Sequence, residues 1–429
     1  MKFNFKIWHL LILLWIGILI LRFELLINIF EMIFNWVFLL FNNSETAFAQ
    51  LNFDLTDYII SGKLFIILPI LFFILRKKLI FLKHEISFAS LFIIFLTASF
   101  LFAPLITNRN PDFYKNIGMT KLLTPLTSIK ILHLKENEIK NSESIFEKFL
   151  SSKDRVIKKS FDESIIYIDS IRVDEKVVYY QNGIEKEVEK QKVIFQNDKP
   201  LTIEQTFLFG TDQFGRDVFT RLIYGARISL LVGFGSVVIS LIVGLIFGFL
   251  AGYIGGIFDT IFSRITDMFL SFPIIFLVVL ILALFGNSLS AVIIILGFAG
   301  WMSLFKIVKT EVLSIKEKNY FISAKLLGLT KTQLLIHEVL PVIIVPVVIN
   351  IIFQFGNVII AESALSYLGL GLGENYPSWG SMIQSGQEYL SSAWWMIFFP
   401  GITLIFTLLS ANSFGISLNR KLNPRLQND

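Results

Sequence analysis

The sequence predicts an all-α polytopic membrane protein carrying a small α+β insert, and three observations lead there. Of 429 residues, 54% are hydrophobic and 15% aromatic, above the roughly 45–50% apolar usage of soluble globular chains. Apolar runs of about 17 residues or more recur, each long enough as a helix to cross a hydrocarbon core of about 30 Å. Between them lies one polar stretch, residues 107–206, with lysines and acids nearly balanced.

Taken in order, residues 1–84 form an N-terminal membrane extension with apolar runs near 7–22, 25–41 and 59–75, closed by Arg76, Lys77, Lys78 and Lys83. Lys2 and Lys6 before the first run resemble a signal peptide, with Ala47-Phe48-Ala49 as its small-residue site. That site lies too far from the run and a second run intervenes, so an uncleaved segment is expected. Residues 85–106 supply the next span and 107–206 a domain-sized insert. Within the insert, Asn182-Gly183 between β-rich flanks signals a hairpin, because both residues tolerate positive φ. Residues 135–159 read as helix or loose chain. Residues 207–429 return to apolar runs near 228–251, 272–286, 289–305, 341–361 and 394–416.

The net charge of +5 comes mostly from basic residues beside apolar runs, which speaks for membrane topology rather than nucleic acid. Cysteine is absent, excluding disulfides, thiol catalysis and thiolate metal sites, and His9, His84, His133 and His337 are scattered, so no metal or cofactor site is expected in this chain. The basic flanks 76–83, 306–331 and 420–425 are assigned to the cytoplasm, which places the insert outside. Crossings alternate correctly from residue 86 to the end. Before residue 84 they do not: either one of the first two runs lies in the interface or the N-terminus is outside. Glu31, inside an apolar run, is a candidate proton-relay group with no obvious second acid.

Three segments carry site-like patterns. In the loop 311–341, Ser314 with Glu317 and Thr330 with Gln333 have capping-box spacing, and Gly328 suits a left-handed helix stop. Two helices, about 315–327 and 331–339, are expected, with Pro341 beginning the next span. They read as an amphipathic pair resting on the bilayer or as an elbow whose small Ser323 and Ala324 fit a partner's groove. In residues 361–383, Gly369, Gly371 and Gly373 interrupt the helix and Pro377 and Gly380 force turns. Leu365, Tyr367, Leu368 and Leu370 hold that fold at the interface, with Tyr367 and Trp379 as anchors. It reads as a scoop lining an outer mouth or as a packed loop, and Glu362 as a substrate-path acid or a helix-end cap. In residues 209–217, Asp212 and Asp217 suggest metal or, preferably, an interfacial helix start with Asp212 near its N-terminus. Arg216, Arg221 and Arg227 are assigned to headgroup and partner contacts.

The loop resembles the EAA loop of the permease subunits of bacterial ABC importers: Glu-Ala-Ala, three residues, Gly, then an apolar residue before Leu-Pro. Here the pattern is Ile322, Ser323, Ala324, Gly328 and Val339-Leu340-Pro341, within "NYFISAKLLG", which contributes Asn319, Tyr320 and Lys325. Ile322 stands where the family has its acid and Ser323 where it has its first alanine. "FGTDQFGRDVFTRLIYGARISLLVG", with Gly210, Thr211, Asp212, Gly215, Arg216, Asp217 and Arg227, resembles the entry to the second core span of the dipeptide, oligopeptide and nickel permeases. The 361–383 stretch resembles that subfamily's Leu-Gly-Leu-Gly and Pro-Ser-Trp-Gly signature, and "NRKLNPRL" its ending. The closest kind is the second permease of the peptide-importer pair.

The resemblance implies a six-helix permease core in a bacterial cytoplasmic (inner) membrane, importing di- and oligopeptides. It implies a homologous permease, two ABC ATPase subunits that bind the ATP and Mg, and an extracytoplasmic solute-binding protein as partners. The chain has no Gly-x-x-x-x-Gly-Lys-Ser/Thr; residues 61–65, SGKLF, lack the spacing and the hydroxyl. Nickel or another small solute is the alternative cargo. A stand-alone secondary transporter would show inverted repeats and paired midplane charges, and neither is clear. The N-terminal extension and the size of the insert exceed the family pattern.

Overall fold

The computed structural model describes residues 7–75, 87–107, 109–112, 115–135, 144–161, 165–373 and 376–422. Lys2, Lys6, the basic cluster 76–83, His84 and the chain end after Leu422 lie outside the described residues. The chain forms two compact units: Met1–Ser87, Ile94–Tyr224 and Gly386–Phe399 make one, and Phe88–Ile93, Gly225–Ser385 and Pro400–Asp429 the other.

The first unit begins with α1 (Ile7–Leu21), α2 (Phe23–Asn42), α3 (Ser44–Ala49) and α4 (Phe53–Leu75), followed by α5 (Phe88–Ile106), which starts in the second unit. Arg22 breaks α1 from α2 and donates to the carbonyls of Leu105 (3.0 Å) and Ile106 (3.1 Å). Those are the last carbonyls of α5, where the helix dipole favours a cation. Trp15 donates to the Phe65 carbonyl at 3.0 Å and Ser61 to that of Leu101 at 2.9 Å, tying α1, α4 and α5 together.

The insert is α+β, as its sequence predicts. It contains α6 (Ile117–Thr120), β1 (Thr127–His133), α7 (Ile145–Phe161), β2 (Ile165–Ile168), β3 (Ser170–Val173), β4 (Val177–Gln181), β5 (Ile184–Val188), β6 (Phe195–Gln196), β7 (Lys199–Pro200) and β8 (Thr202–Phe207). β1 is central in an antiparallel β2-β1-β8 sheet, with Lys130 opposite Ile168 and Ile131 opposite Ile203; β3-β4-β5 form a meander. Asn182 (φ 48°) and Gly183 (φ 77°) make the anticipated turn between β4 and β5. Leu132, Ile168, Val177 and Val193 are buried beneath these strands. The stretch 135–159 resolves as α7 from Ile145 onward, while 136–143 lie outside the described residues. Phe149 and Val156 of α7 join Leu26, Ile29, Met32 and Leu39 of α2 in one apolar cluster.

The second unit is helical: α8 (Val218–Phe249), which begins in the first unit and ends in a π turn at Leu250–Ile254, α9 (Gly256–Leu270), α10 (Ile274–Phe285), α11 (Leu289–Lys316), α12 (Asn319–Leu326), α13 (Lys331–Gln333), α14 (Leu340–Tyr367), α15 (Trp379–Gly386) and α16 (Trp395–Leu422). Gly244, Gly248 and Gly252 form a bare ridge on α8. A Cβ at each would lie 2.8–2.9 Å from Leu304, Val308 or Val312 of α11, so the missing side chains set how closely the two helices approach. Lys316 closes the end of α11 on the carbonyls of Gly252 (3.2 Å) and Tyr253 (3.0 Å). The connection between α8 and α10 contains α9, bent 89° from α10. Lys306 pairs with Asp267 at 3.0 Å and Lys309 with Asp259, fastening α9 to α11.

Among the described residues, seven helices are long and apolar enough to cross a membrane, eight if the bent α9–α10 pair counts as one. From residue 88 onward the set is α5, α8, the α9–α10 pair, α11, α14 and α16. These supply the six-span core anticipated from the sequence.

Candidate functional site

The loop 311–341 folds as an elbow. α12 ends in a Schellman stop: Gly328 has φ 84°, its N–H reaches the Lys325 carbonyl at 3.1 Å, and the Leu329 N–H reaches that of Ala324 at 3.3 Å. Thr330 and Gln333 form the predicted capping box at the start of α13. The other expected box does not form. Ser314 lies inside α11, which runs on to Lys316, and α12 starts after Lys318 with no side-chain cap. Helix propensity carried α11 past the serine because α11 stays packed on its neighbours there, with Val312 and Ile315 buried.

After Gln333 the helix does not stop at Pro341. A π turn, Leu334–Val339, joins α13 to α14, which opens at Leu340 and Pro341, where the wide turn accommodates a proline that has no N–H to donate. Lys331–Tyr367 is thus one apolar rod of 37 residues, about 55 Å long against a hydrocarbon core of about 30 Å. Phe321 and Ala324 of α12 are buried against Leu334 and Val339, while Asn319, Tyr320, Ser323 and Lys325 line the open side. Burial and the charge of Glu338 push the Tyr320 phenol up from its ordinary pKa. Leu326 and Leu327, at the tip, are 83% and 82% exposed. The sequence reading passed over these two leucines; an apolar pair directly before a glycine stop was the available signal.

The segment after α14 is a second Schellman stop. Gly369 has φ 79°, its N–H reaches Ser366 at 3.0 Å, and the Leu370 N–H reaches Leu365 at 2.9 Å. Gly371 is needed for another reason: a Cβ there would lie 2.0 Å from Ser366 Oγ. Its carbonyl accepts from Asn287 at 2.7 Å. Pro377 leads into α15, and Gly380 is helical rather than a turn, pressed on Ser363 and Ser366. Trp379, expected as an interfacial anchor, is 0% exposed; its backbone N–H donates to Ser229 of α8 at 3.2 Å. Tyr367 remains open to the surroundings while Leu365 is buried. Glu362 is wholly buried and accepts hydrogen bonds from Ser366 (2.8 Å), Ser363 (3.5 Å) and Ser378. The acid therefore clasps the Pro-Ser-Trp-Gly turn onto α14, and neither caps a helix end in water nor faces an open path.

The 210–217 motif lies in the first unit. Thr211 is its hub: the hydroxyl donates to the Thr120 carbonyl and accepts from the Leu123 N–H at 2.8 Å, and its carbonyl accepts from Trp395 Nε1 at 3.0 Å. Gly210 (φ 74°) and Gly215 (φ 80°) make the turns that permit this. The helix-start role belongs to Asp217, not Asp212: Asp217 Oδ2 accepts from the N–H and hydroxyl of Thr220 in the first turn of α8. Asp212 is instead buried between two arginines, 2.6 Å from Arg216 Nε and 3.8 Å from Arg221 Nε, and Asp112 meets Arg221 at 2.8 Å. Arg216 and Arg221 are thus internal struts rather than headgroup contacts, because these carboxylates compensate their burial. Arg227, further along α8, is half-buried. Gln354, midway along α14, was not anticipated: it is buried with neither amide atom hydrogen-bonded, against Gly300 of α11.

Residues 244–428 match the family described as the binding-protein-dependent transport system inner membrane component. The chain is 37% identical over 219 residues to the dipeptide transport system permease protein DppC of Alkalihalophilus pseudofirmus, covering 51% of this chain and 72% of that protein. It is 35% identical over 222 residues to the di/tripeptide transport system permease protein DppC of Pseudomonas aeruginosa (52% and 73%). To the oligopeptide transport system permease protein OppC of Haemophilus influenzae it is 35% identical over 224 residues (52% and 72%). Among solved structures, the inward-facing MetNI methionine ABC transporter aligns with a TM-score of 0.38 at 18% identity, over 47% of this chain and 97% of that one. With its six-span core, its elbow and these relatives, the chain belongs to the family of multi-pass inner-membrane permease subunits of ABC importers.

Proposed function

We propose that this chain is the permease subunit through which an ATP-driven importer moves di- and oligopeptides across the bacterial cytoplasmic membrane. The relatives named for dipeptide, di/tripeptide and oligopeptide transport favour peptide over nickel. The chain pairs with a homologous permease, receives peptide from an extracytoplasmic solute-binding protein, and leaves hydrolysis of Mg-ATP to two separate ATPase subunits. Residues 107–206 are extracytoplasmic and the elbow cytoplasmic, with its richly basic flanks.

The observation that carries the coupling role is the apolar tip at Leu326-Leu327. Two almost fully exposed leucines, held rigidly by the Gly328 stop beyond the bilayer, are costly in water and suited to a groove on an ATPase subunit. Closure of the ATPase pair then pulls on α12, and the continuous α13–α14 rod carries the displacement into the membrane, a shift between two conformations that ATP and peptide favour differently.

The test is purification of tagged chain in mild detergent, parent against Leu326→Asp with Leu327→Asp. Both positions are open, so the fold is kept. The parent is expected to bring down a second permease and P-loop ATPases, and the double variant to keep the permease and lose the ATPases along with peptide uptake. Equal ATPase recovery from both would overturn the coupling role, and uptake that needs no ATP would overturn the importer.

A further inference from the structure

By length and composition α2 qualifies as a membrane span, yet its neighbours contradict that. α7 runs antiparallel along it. Arg155 pairs with Glu31 at 2.6 Å, and one turn further along α2, one turn back along α7, Asn35 donates to Ser152 at 3.2 Å. Lys153 meanwhile reaches the carbonyl of Gln50 (3.4 Å) and its side-chain oxygen (3.2 Å). Between residues 147 and 155, α7 carries Glu147, Lys148, Lys153, Asp154 and Arg155. So dense a set of ionised groups does not enter hydrocarbon. The Glu31–Asn35 turn of α2 shares its depth.

The direction of α2 agrees. α1 and α4 are antiparallel, since Ile7 clusters with Phe72 and Trp15 bonds Phe65. Arg22 then emerges at the end of α5, whose Leu101 meets Ser61 one turn earlier. From there, a Cβ on Gly62 would lie 2.7 Å from Ile29 and 3.5 Å from Ile33, and Lys63 Nζ lies 5.9 Å from the Trp36 ring. Between Ile29 and Trp36 the helix advances about 10 Å, while its contact on α4 moves by one residue. α2 therefore crosses α4 rather than running beside it. The crossing point is where α4 changes character: Asp54, Asp57, Ser61 and Lys63 precede it, and Leu64–Leu75 is apolar.

The surface of α2 completes the case. Phe23, Ile27, Phe34, Phe38 and Phe41 are exposed and share one helical stripe; Glu24, Asn28, Glu31, Asn35 and Asn42 share the next. We infer that α2 lies in the plane of the bilayer, on the face that carries the insert, with its phenylalanine stripe set among the acyl chains of that leaflet and α7 seated on its polar side. α1, whose 15 described residues cover about 22 Å, is then the crossing, shorter than the other spans. This leaves one crossing before residue 42, as the charge pattern requires for a cytoplasmic N-terminal segment.

The chain has no cysteine, so single cysteines report alone. Glu24→Cys and Glu45→Cys flank α2, and Glu185→Cys marks the insert. In sealed right-side-out vesicles, a membrane-impermeant maleimide is expected to label all three from one side. Labelling of Glu24→Cys and Glu45→Cys from opposite sides overturns the proposal. A depth measurement stands independently. An environment-sensitive fluorophore on Phe34→Cys and on Phe41→Cys is expected to be quenched equally by lipids spin-labelled near the headgroup and little by lipids labelled near the chain end. A spanning helix would separate the two positions by about 10 Å, and such a gradient overturns it. Failure of Asn35→Cys with Ser152→Cys to form a disulfide in the membrane removes the pairing on which the inference rests.

Discussion

At Asp217 two demands conflict. The residue starts α8 by accepting from Thr220, yet its Oδ1 is buried with no hydrogen-bond partner. Burial pushes this carboxyl up from its ordinary pKa, more than the bonds from Thr220 and the charge of Arg109 lower it. An acid with a raised folded pKa contributes stability below the ordinary carboxylate range and loses it as pH rises through the folded value. Asp217→Asn keeps an oxygen for Thr220, since asparagine starts helices as well as aspartate does. The expected outcome is an unfolding midpoint in detergent above the parent's at pH 7, with the gap closing near pH 4. A lower midpoint at pH 7 would show that the charge itself, facing Arg109 and the helix dipole, is what the site needs. Asp212 differs: it answers Arg216 and Arg221 directly, so the two acids of one short motif serve opposite purposes.

Among the elements, α8 and α11 show how little side chain a membrane contact needs. The Gly244, Gly248, Gly252 ridge admits Leu304, Val308 and Val312 to the backbone itself. Gly248→Ile would place branched carbons where Val308 already lies, so the expected result is loss of folded permease in membranes, read by size-exclusion profile of the detergent extract. Overpacking of this kind costs about 1–3 kcal/mol in soluble cores, and a rigid helix pair has less room to relax. The Asn182-Gly183 hairpin, the Gly328 stop and the Thr330–Gln333 box were legible in the sequence, because each rests on contacts among near neighbours in sequence. What was not legible depended on distant partners. Ser314 lost its cap because α11 continues against α8 and α14, the Trp379 ring left the interface to pack on the bare Gly225 of α8, and Glu31 found Arg155 from 124 positions away. A pattern in one segment cannot report the partner that another segment brings.

For the molecule as a whole, the membrane extension and the insert form one body through α2 and α7. Phe149→Asp with Val156→Asp would bury two charges in that cluster and unseat α7. Protease added to right-side-out vesicles is expected to cut within Ile145–Phe161 in this variant and to spare α7 in the parent, with unchanged membrane levels. Peptide uptake by the same vesicles then decides whether a seated insert is needed for transport. At the other end of the chain, the π turn at Leu334–Val339 has a mechanical meaning. Such a turn holds one residue more than an α turn, so returning it to α register would rotate the elbow about 100° around the α14 axis and shift it about 1.5 Å. Hydrogen bonds would be exchanged rather than lost. The joint is a single-step screw thread, able to turn an axial pull at the elbow into a twist of the transmembrane rod.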